Sequence, residues 1–223
     1  MERHLDVELG RVKEGLLRMA GLAETAIGLA VKALVSRNAE MARQVIASDD
    51  AINTLEIEID ELCLRMMALY QPEARDLRFL AMALKIDNDL ERMGDQAVNI
   101  AERTLELLKE PLLKPLIDIP RMAEVAQRMV KESLDAFVQQ DVGRARAVCR
   151  QDDEVDRYDD QIFRVLLTSM MEDPRAITRA VHLILVSRHI ERIADHATNI
   201  AEDVIYLVEG KNIKHHALDR TPA

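Results

Sequence analysis

Apolar residues recur three and four positions apart along most of this chain, with charged residues filling the intervals, which is the periodicity of amphipathic helices. Leu9, Val12, Leu16, Met19, Leu22, Ala26, Leu29 and Ala33 predict a first helix running to about Ser36. Asn38 is placed to cap a second, which carries Met41, Val45, Ile52, Leu55, Ile59, Leu62 and Met66. That helix should stop near Tyr70, because Pro72 disfavours helical geometry at Gln71. Pro72 itself suits the first turn of a third helix, which runs through Leu77, Leu80, Leu84, Glu91 and Asp95 to about Lys109. No helix passes intact through Pro111, Pro115 and Pro120, so the chain divides there into residues 1–112 and 113–223. Three more helices are expected beyond the division: from about Asp118 to Gln139, from Asp141 to Met171, and from just after Asp173 and Pro174 to about Glu209. The tail from Gly210 to Ala223, with His215 and His216, is expected to fray.

The two halves are copies of one another. The string Glu91-Arg92-Met93-Gly94-Asp95-Gln96-Ala97-Val98-Asn99-Ile100-Ala101-Glu102 returns with four changes as Glu191-Arg192-Ile193-Ala194-Asp195-His196-Ala197-Thr198-Asn199-Ile200-Ala201-Glu202. Val45 and Asp49 map onto Val148 and Asp152, whereas Arg75 and Glu91 map onto Arg175 and Glu191, so the second turn is three residues shorter in the later copy. Only 3% of the 223 residues are aromatic, there is no Trp, and Gly and Pro are few, which argues against strands. The expected fold is all-α: two pseudo-symmetric three-helix bundles made by tandem duplication.

A formal charge of −10 with no basic stripe argues against a nucleic-acid partner. Cys63 and Cys149 are far apart and show neither zinc-site spacing nor disulfide density, so they read as reduced thiols of a cytoplasmic protein. No uncharged stretch approaches the roughly 18 residues of a membrane span, so membrane contact is expected only through partners.

Candidate chemistry lies in rows of oxygen side chains. Glu91, Asp95, Asn99 and Glu102 fall within an arc of about 80° on a helix, as do Glu191, Asp195, Asn199 and Glu202. Ile190, Ile193, Ala197, Ile200 and Val204 take the opposite arc, which puts the acidic row on the shoulder of its bundle. The second helix of each half carries a matching row: Asp49, Asn53, Glu56 and Asp60, and Asp152, Asp156 and Asp159. In an antiparallel hairpin two such rows can face each other, and carboxylates so gathered are neutralised by a cation that prefers oxygen ligands. The plain alternative is that these are solvated faces with no ligand. Arg92 and Arg192 suit an ion pair with a neighbouring helix or an anion such as phosphate. His182, His189 and His196 point away from the acidic row and read as boundary residues, and Met19, Met66, Met67, Met170 and Met171 as core filling.

The paired Glu-Arg-x-x-Asp-x-x-x-Asn strings, the segment Gln71-Pro72-Glu73-Ala74-Arg75-Asp76-Leu77-Arg78 and the two-fold repeat together resemble the PhoU family, from about Leu5 to Gly210. The resemblance implies a cytoplasmic, non-enzymatic negative regulator of phosphate uptake and the phosphate-starvation response. Its partners would be the ATPase subunit of the phosphate ABC importer and the sensor histidine kinase of the phosphate regulon, and it would form a homodimer. It also implies divalent or iron-type metal ions at Glu91 with Asp95 and at Glu191 with Asp195. Asp87 extends the first row by a turn, but its counterpart is Ser187, and Asn at positions 53, 99 and 199 lowers the charge of the rows. Competing expectations are a ferritin-like carboxylate oxidoreductase, against which the absence of any Glu-x-x-His stands, and a purely structural helical scaffold.

Overall fold

The computed structural model describes residues 4–114, 116–211 and 213. Pro115 and the tail residues His215 and His216 lie outside them. Six long helices account for most of the described chain, and no strand occurs among the described residues. They are α1 (His4–Ser36), α2 (Ala39–Tyr70), α3 (Ala74–Leu107), α4 (Asp118–Gln139), α5 (Val142–Glu172) and α6 (Ile177–Glu209).

The duplication extends to the turns. After α1, Arg37 adopts the left-handed conformation (φ 52°), Asn38 N bonds back to Ala33 O at 2.9 Å, and the Asn38 side chain accepts from the amides of Glu40 and Met41. After α4, Gln140 takes φ 54°, Asp141 N bonds back to Ala136 O at 3.0 Å, and Asp141 Oδ1 accepts from Arg144 N. Each turn closes one helix and caps the next within two residues, which makes α1–α2 and α4–α5 tight antiparallel hairpins.

The second turns differ. Gln71 is driven out of the helical region to φ 43°, Pro72 stays in the linker, and α3 begins only at Ala74 after an extended Glu73. The expectation that Pro72 opens the third helix is therefore corrected: Glu73, after the proline, is extended (ψ 169°) and takes the N-cap position, so the helix starts two residues later. In the second half the proline does open a helical turn: Asp173 caps a short 3-10 turn, Pro174–Ala176, which leads into α6. Pro120 sits in the first turn of α4, where its missing amide costs nothing.

Within each half the three helices pack on one another, and the halves meet chiefly through α3 against α6 and less through α1 against α4. One hydrophobic core runs through both, from Leu16, Met19 and Ile27 of α1 through Ile86 and Ile100 of α3 to Met129 of α4 and Ile190 and Ile200 of α6. Among the described residues α1 is the helix long and apolar enough to cross a membrane, yet its stripe of Val12, Leu16, Met19 and Ala23 is buried in this core. Met19 and Met66 fill core space as expected, but Met171, at the end of α5, is 79% exposed and does not. Glycine matters at one close approach: a Cβ on Gly94 of α3 would lie 2.9 Å from Ile52 Cδ1 and 3.6 Å from Asp49 Oδ1. The missing side chain lets α2 and α3 draw together where their acidic rows meet.

Candidate functional site

Each hairpin formed by a second and a third helix brings its two rows onto one groove. In the first half Asp49 and Glu56 of α2 and Glu91 and Asp95 of α3 lie close enough for the charge of Asp95 to act on both Asp49 and Glu91, and for that of Glu56 to act on Glu91. Burial, and then the charge of Asp95, lift the carboxyls of Asp49 and Glu91 above the ordinary range. Asn53 is held by the row itself, donating from Nδ2 to Asp49 Oδ2 at 3.0 Å. Asp49 Oδ1, Asn53 Oδ1 and Glu91 Oε2 are buried without a hydrogen-bond partner.

The second half repeats the plan. Burial, followed by Asp195 and Asp156, pushes Asp152 up to about 6, and the carboxyls of Asp156, Glu191 and Asp195 are raised too, burial being the first cause each time. Here the groove contains its own cation: Arg188 Nη1 lies 2.9 Å from Asp159 Oδ2 and 3.3 Å from Glu191 Oε1. Ser187 Oγ donates to Asp159 Oδ1 at 2.8 Å, so this buried carboxylate is fully engaged.

The remaining candidates are placed less uniformly. Asn99 is half-buried on the α3 row, whereas Asn199 turns its amide toward the other half and donates to Asp89 Oδ1 at 3.3 Å. Asp60 meets Asp87, one turn further along α3 than the Glu91–Asp95 pair. Arg92 stays on its own helix, 3.5 Å from both Glu91 and Asp95, and its guanidinium is half exposed.

Sequence periodicity missed a second polar seam, between α3 and α6. His196 Nδ1 donates to Asp89 Oδ1 at 2.8 Å and His189 Nδ1 donates to Gln96 Oε1 at 2.8 Å. Burial, with Arg192 and Arg103 adding like charge, drives His189 down to about 4, so its imidazole is neutral at physiological pH. Both rings reach the partner repeat, and His196 also lies near enough to Asp195 for its charge to act on that carboxyl, so it is not wholly turned from the acidic row as expected. The signal was the departure from the repeat, Gln96 against His196, which pairs unlike residues across a pseudo-two-fold seam.

Chemically, the grooves are sets of oxygen donors with surplus negative charge. The first carries three buried oxygens that accept no hydrogen bond and, among the described residues, no ion pair from an arginine of the other helix, which suits a hard or borderline cation. Among the described residues, however, no three His, Cys, Asp or Glu side chains close on one point at metal-ligand distance. The donor chemistry suits a cation, while the carboxylates of the described residues do not gather into a polydentate cluster.

The family model for the PhoU domain matches the chain twice, over residues 16–104 and 119–204, and the chain belongs to the PhoU family. A phosphate-specific transport system accessory protein PhoU homolog of Aquifex aeolicus is 51% identical over 208 residues, covering 93% of this chain and 94% of the relative. A homolog of the same name from Pseudomonas aeruginosa is 42% identical over 99% of this chain and 91% of its own. The crystal structure of PhoU from Pseudomonas aeruginosa superposes with a TM-score of 0.91 at 43% identity, covering 93% of this chain and all of that one. The phosphate transport system regulatory protein PhoU from Streptococcus pneumoniae gives 0.88 at 30% identity, over 95% of this chain. All-helical architecture, the internal repeat and the family expected from the motifs are thereby established.

Proposed function

We propose that this protein is a cytoplasmic, non-enzymatic regulator that restrains phosphate uptake and the phosphate-starvation response by coupling the ATPase subunit of a phosphate importer to the sensor histidine kinase of the regulon. The observation that carries the reading is its likeness, over nearly the whole of both chains, to proteins named as accessory to phosphate-specific transport. The arrangement of groups agrees with a regulator: each half presents a partly solvated acidic groove, and the two cysteines have thiols raised to about 12 and 11 by burial, which leaves them poor nucleophiles. Homodimerisation belongs to the same reading.

Divalent or iron-type cations would be held by Asp49, Glu56, Glu91 and Asp95 in the first groove and by Asp152, Asp156, Asp159, Glu191 and Asp195 in the second, with Asn53 and Asn99 lending neutral oxygens. Such an ion would supply the positive charge that these groups lack and stiffen the facing helices. The buried Asp49 and Glu91 oxygens that accept no hydrogen bond support this, and favour the first groove over the second, where Arg188 already stands.

Two measurements test the reading separately. Deleting the gene should raise alkaline-phosphatase-type starvation output in phosphate-rich medium, and unchanged output would refute the regulatory role. Protein purified without chelator should contain bound metal by elemental analysis and lose most of it on joint Asp95→Ala and Asp195→Ala substitution. Metal-free wild-type protein would leave the grooves as solvated faces.

A further inference from the structure

At one end of the seam between the halves, the first turns of α3 run beside the last turns of α6 and leave a cleft of about 380 Å³. Leu77, Ala81 and Met82 give it an apolar wall, and Arg78, Lys85 and Tyr206 bring polar groups to it. Among the described residues Arg78 takes part in no hydrogen bond or ion pair, and its Nε is buried. A donor that loses water and gains no acceptor costs free energy. The chain carries 40 acidic residues, yet no described one meets this guanidinium.

Local structure holds the group in place. Gly210, the C-cap of α6, adopts φ 68°, and a Cβ on it would lie 2.7 Å from Arg78 Nη1, so any other residue would push the guanidinium away. The negative end of the α6 dipole favours a cation here. The groups of that helix end are nonetheless engaged elsewhere: Tyr206 O accepts from Gly210 N at 2.9 Å, and Glu209 pairs with Arg146. Lys85, two turns further along α3, is half exposed, and its ammonium stands 3.8 Å from the buried Asp203, too far to spend a donor. It also borders the acid-lined cleft of Asp60 and Asp87, so Arg78 is the cation of the pair with no competing partner.

The other repeat shows that packing α3 on α6 does not require these groups. The register of the third helices carries Arg78 onto Thr178, Lys85 onto Leu185, Tyr206 onto Glu106 and Gly210 onto Glu110. At that end the linker between the halves covers the seam, held by Arg37 donating to Glu110 O and Arg179 to Pro111 O, with Leu113 and Leu116 packed on the core. One end of the pseudo-two-fold seam is closed by chain, and the other is open and cationic.

We propose that the open end binds the phosphate group of a small anion, inorganic phosphate or a phosphate monoester, between Arg78 and Lys85. The chemistry of the groups selects the class. A guanidinium approached side-on offers Nε and an Nη as parallel donors to two oxygens of one oxyanion. The second cation and the Tyr206 phenol serve oxygens that a carboxylate lacks, which suits a tetrahedral dianion. The exposed Leu77 and a volume of about 380 Å³ leave room for an apolar body beside the phosphate. The site stands on this geometry, apart from the regulatory reading and from metal in the acidic grooves, so each can fail alone.

Metal-stripped full-length protein titrated by calorimetry with inorganic phosphate, phenyl phosphate and benzoate tests this, with ³¹P linewidths as a second measure. Wild type is compared with Arg78→Lys, which keeps the charge and loses the fork, and with Lys85→Leu, which copies the second repeat. Arg164→Ala, at an exposed arginine of α5, is the control. Circular dichroism and a thermal melt confirm that each variant folds. One phosphate-bearing probe should bind per chain, about tenfold or more weakly in Arg78→Lys and in Lys85→Leu, and unchanged in Arg164→Ala. Tighter binding of phenyl phosphate than of inorganic phosphate assigns the site to a monoester, and equal or weaker binding assigns it to free phosphate; either supports the proposal. It is overturned if neither phosphate probe binds, if benzoate binds as tightly as phenyl phosphate, or if Arg78→Lys and Lys85→Leu leave binding unchanged. Equal weakening by all three substitutions would report net charge alone and overturn it too.

Discussion

Asp87 separates from its neighbours on α3 by environment alone, since Glu91 and Asp95 belong to the same row of one helix face yet remain partly solvated. Its raised pKa, about 8 against an ordinary 3.8, comes first from burial and then from Asp60. The sign of the consequence follows from linkage. The folded protein binds this proton more tightly than the unfolded chain, so the contribution to stability is fully present below about pH 4 and is lost as pH rises through about 8. Metal-free protein should thus be more stable to urea at pH 5 than at pH 8. Asp152, raised to about 6, adds to the same trend in any variant, so Asp87→Ser should flatten the slope without removing it. Urea midpoints for both proteins at the two pH values, in chelator, provide the check; parallel slopes would mean that Asp87 titrates normally.

At the scale of the element, the helices were legible because periodicity and caps agree. Asn38 and Asp141 announce their helices by residue type, and both bond the amides that an N-cap should. The facing of the rows was legible too, because Asp49, Glu91 and Asp95 sit at helical spacing on two helices joined by a short turn. What one helix's pattern does not contain is the identity of its neighbour from the other half. Asp89 lies beside the row in sequence, but its Oδ1 takes His196 Nδ1 at 2.8 Å and Asn199 Nδ2 at 3.3 Å, contacts that span more than a hundred positions. The burial of Asp87 was hidden for the same reason, since it depends on how α2, α3 and α6 close together. Asp89→Ala should therefore act on the α3–α6 seam, costing about 1–2 kcal/mol through two lost polar contacts and an unpaired imidazole. A double-mutant cycle with His196→Ala measures it, and purely additive losses would show that the pair contributes no coupling.

Across the whole molecule the duplication raises the question of whether two bundles fold as two units. The family model matches each half separately, and the Pro-containing linker between α3 and α4 has the composition of a boundary. Packing argues the other way. α3 and α6 bury apolar faces on one another, and the cluster that begins at Leu16 and Met19 continues without a break to Ile190 and Ile200. Ile86, Leu90, Met93, Ile193 and Ala197 are each essentially inaccessible, and parting the halves would expose whichever of them line the seam. At about 25 cal/mol per Å² of apolar surface, exposing even a few hundred Å² costs as much as the whole stability of a marginal domain of this size. Neither bundle should then persist alone, and chelated protein should unfold in one calorimetric transition whose van't Hoff and calorimetric enthalpies agree. Two resolved transitions, or a calorimetric enthalpy about twice the van't Hoff value, would show that the repeats are energetically separate. A single cooperative unit would let an ion bound in one groove stabilise helices of the other half, because α3 and α6 carry both the acidic rows and the seam that joins them.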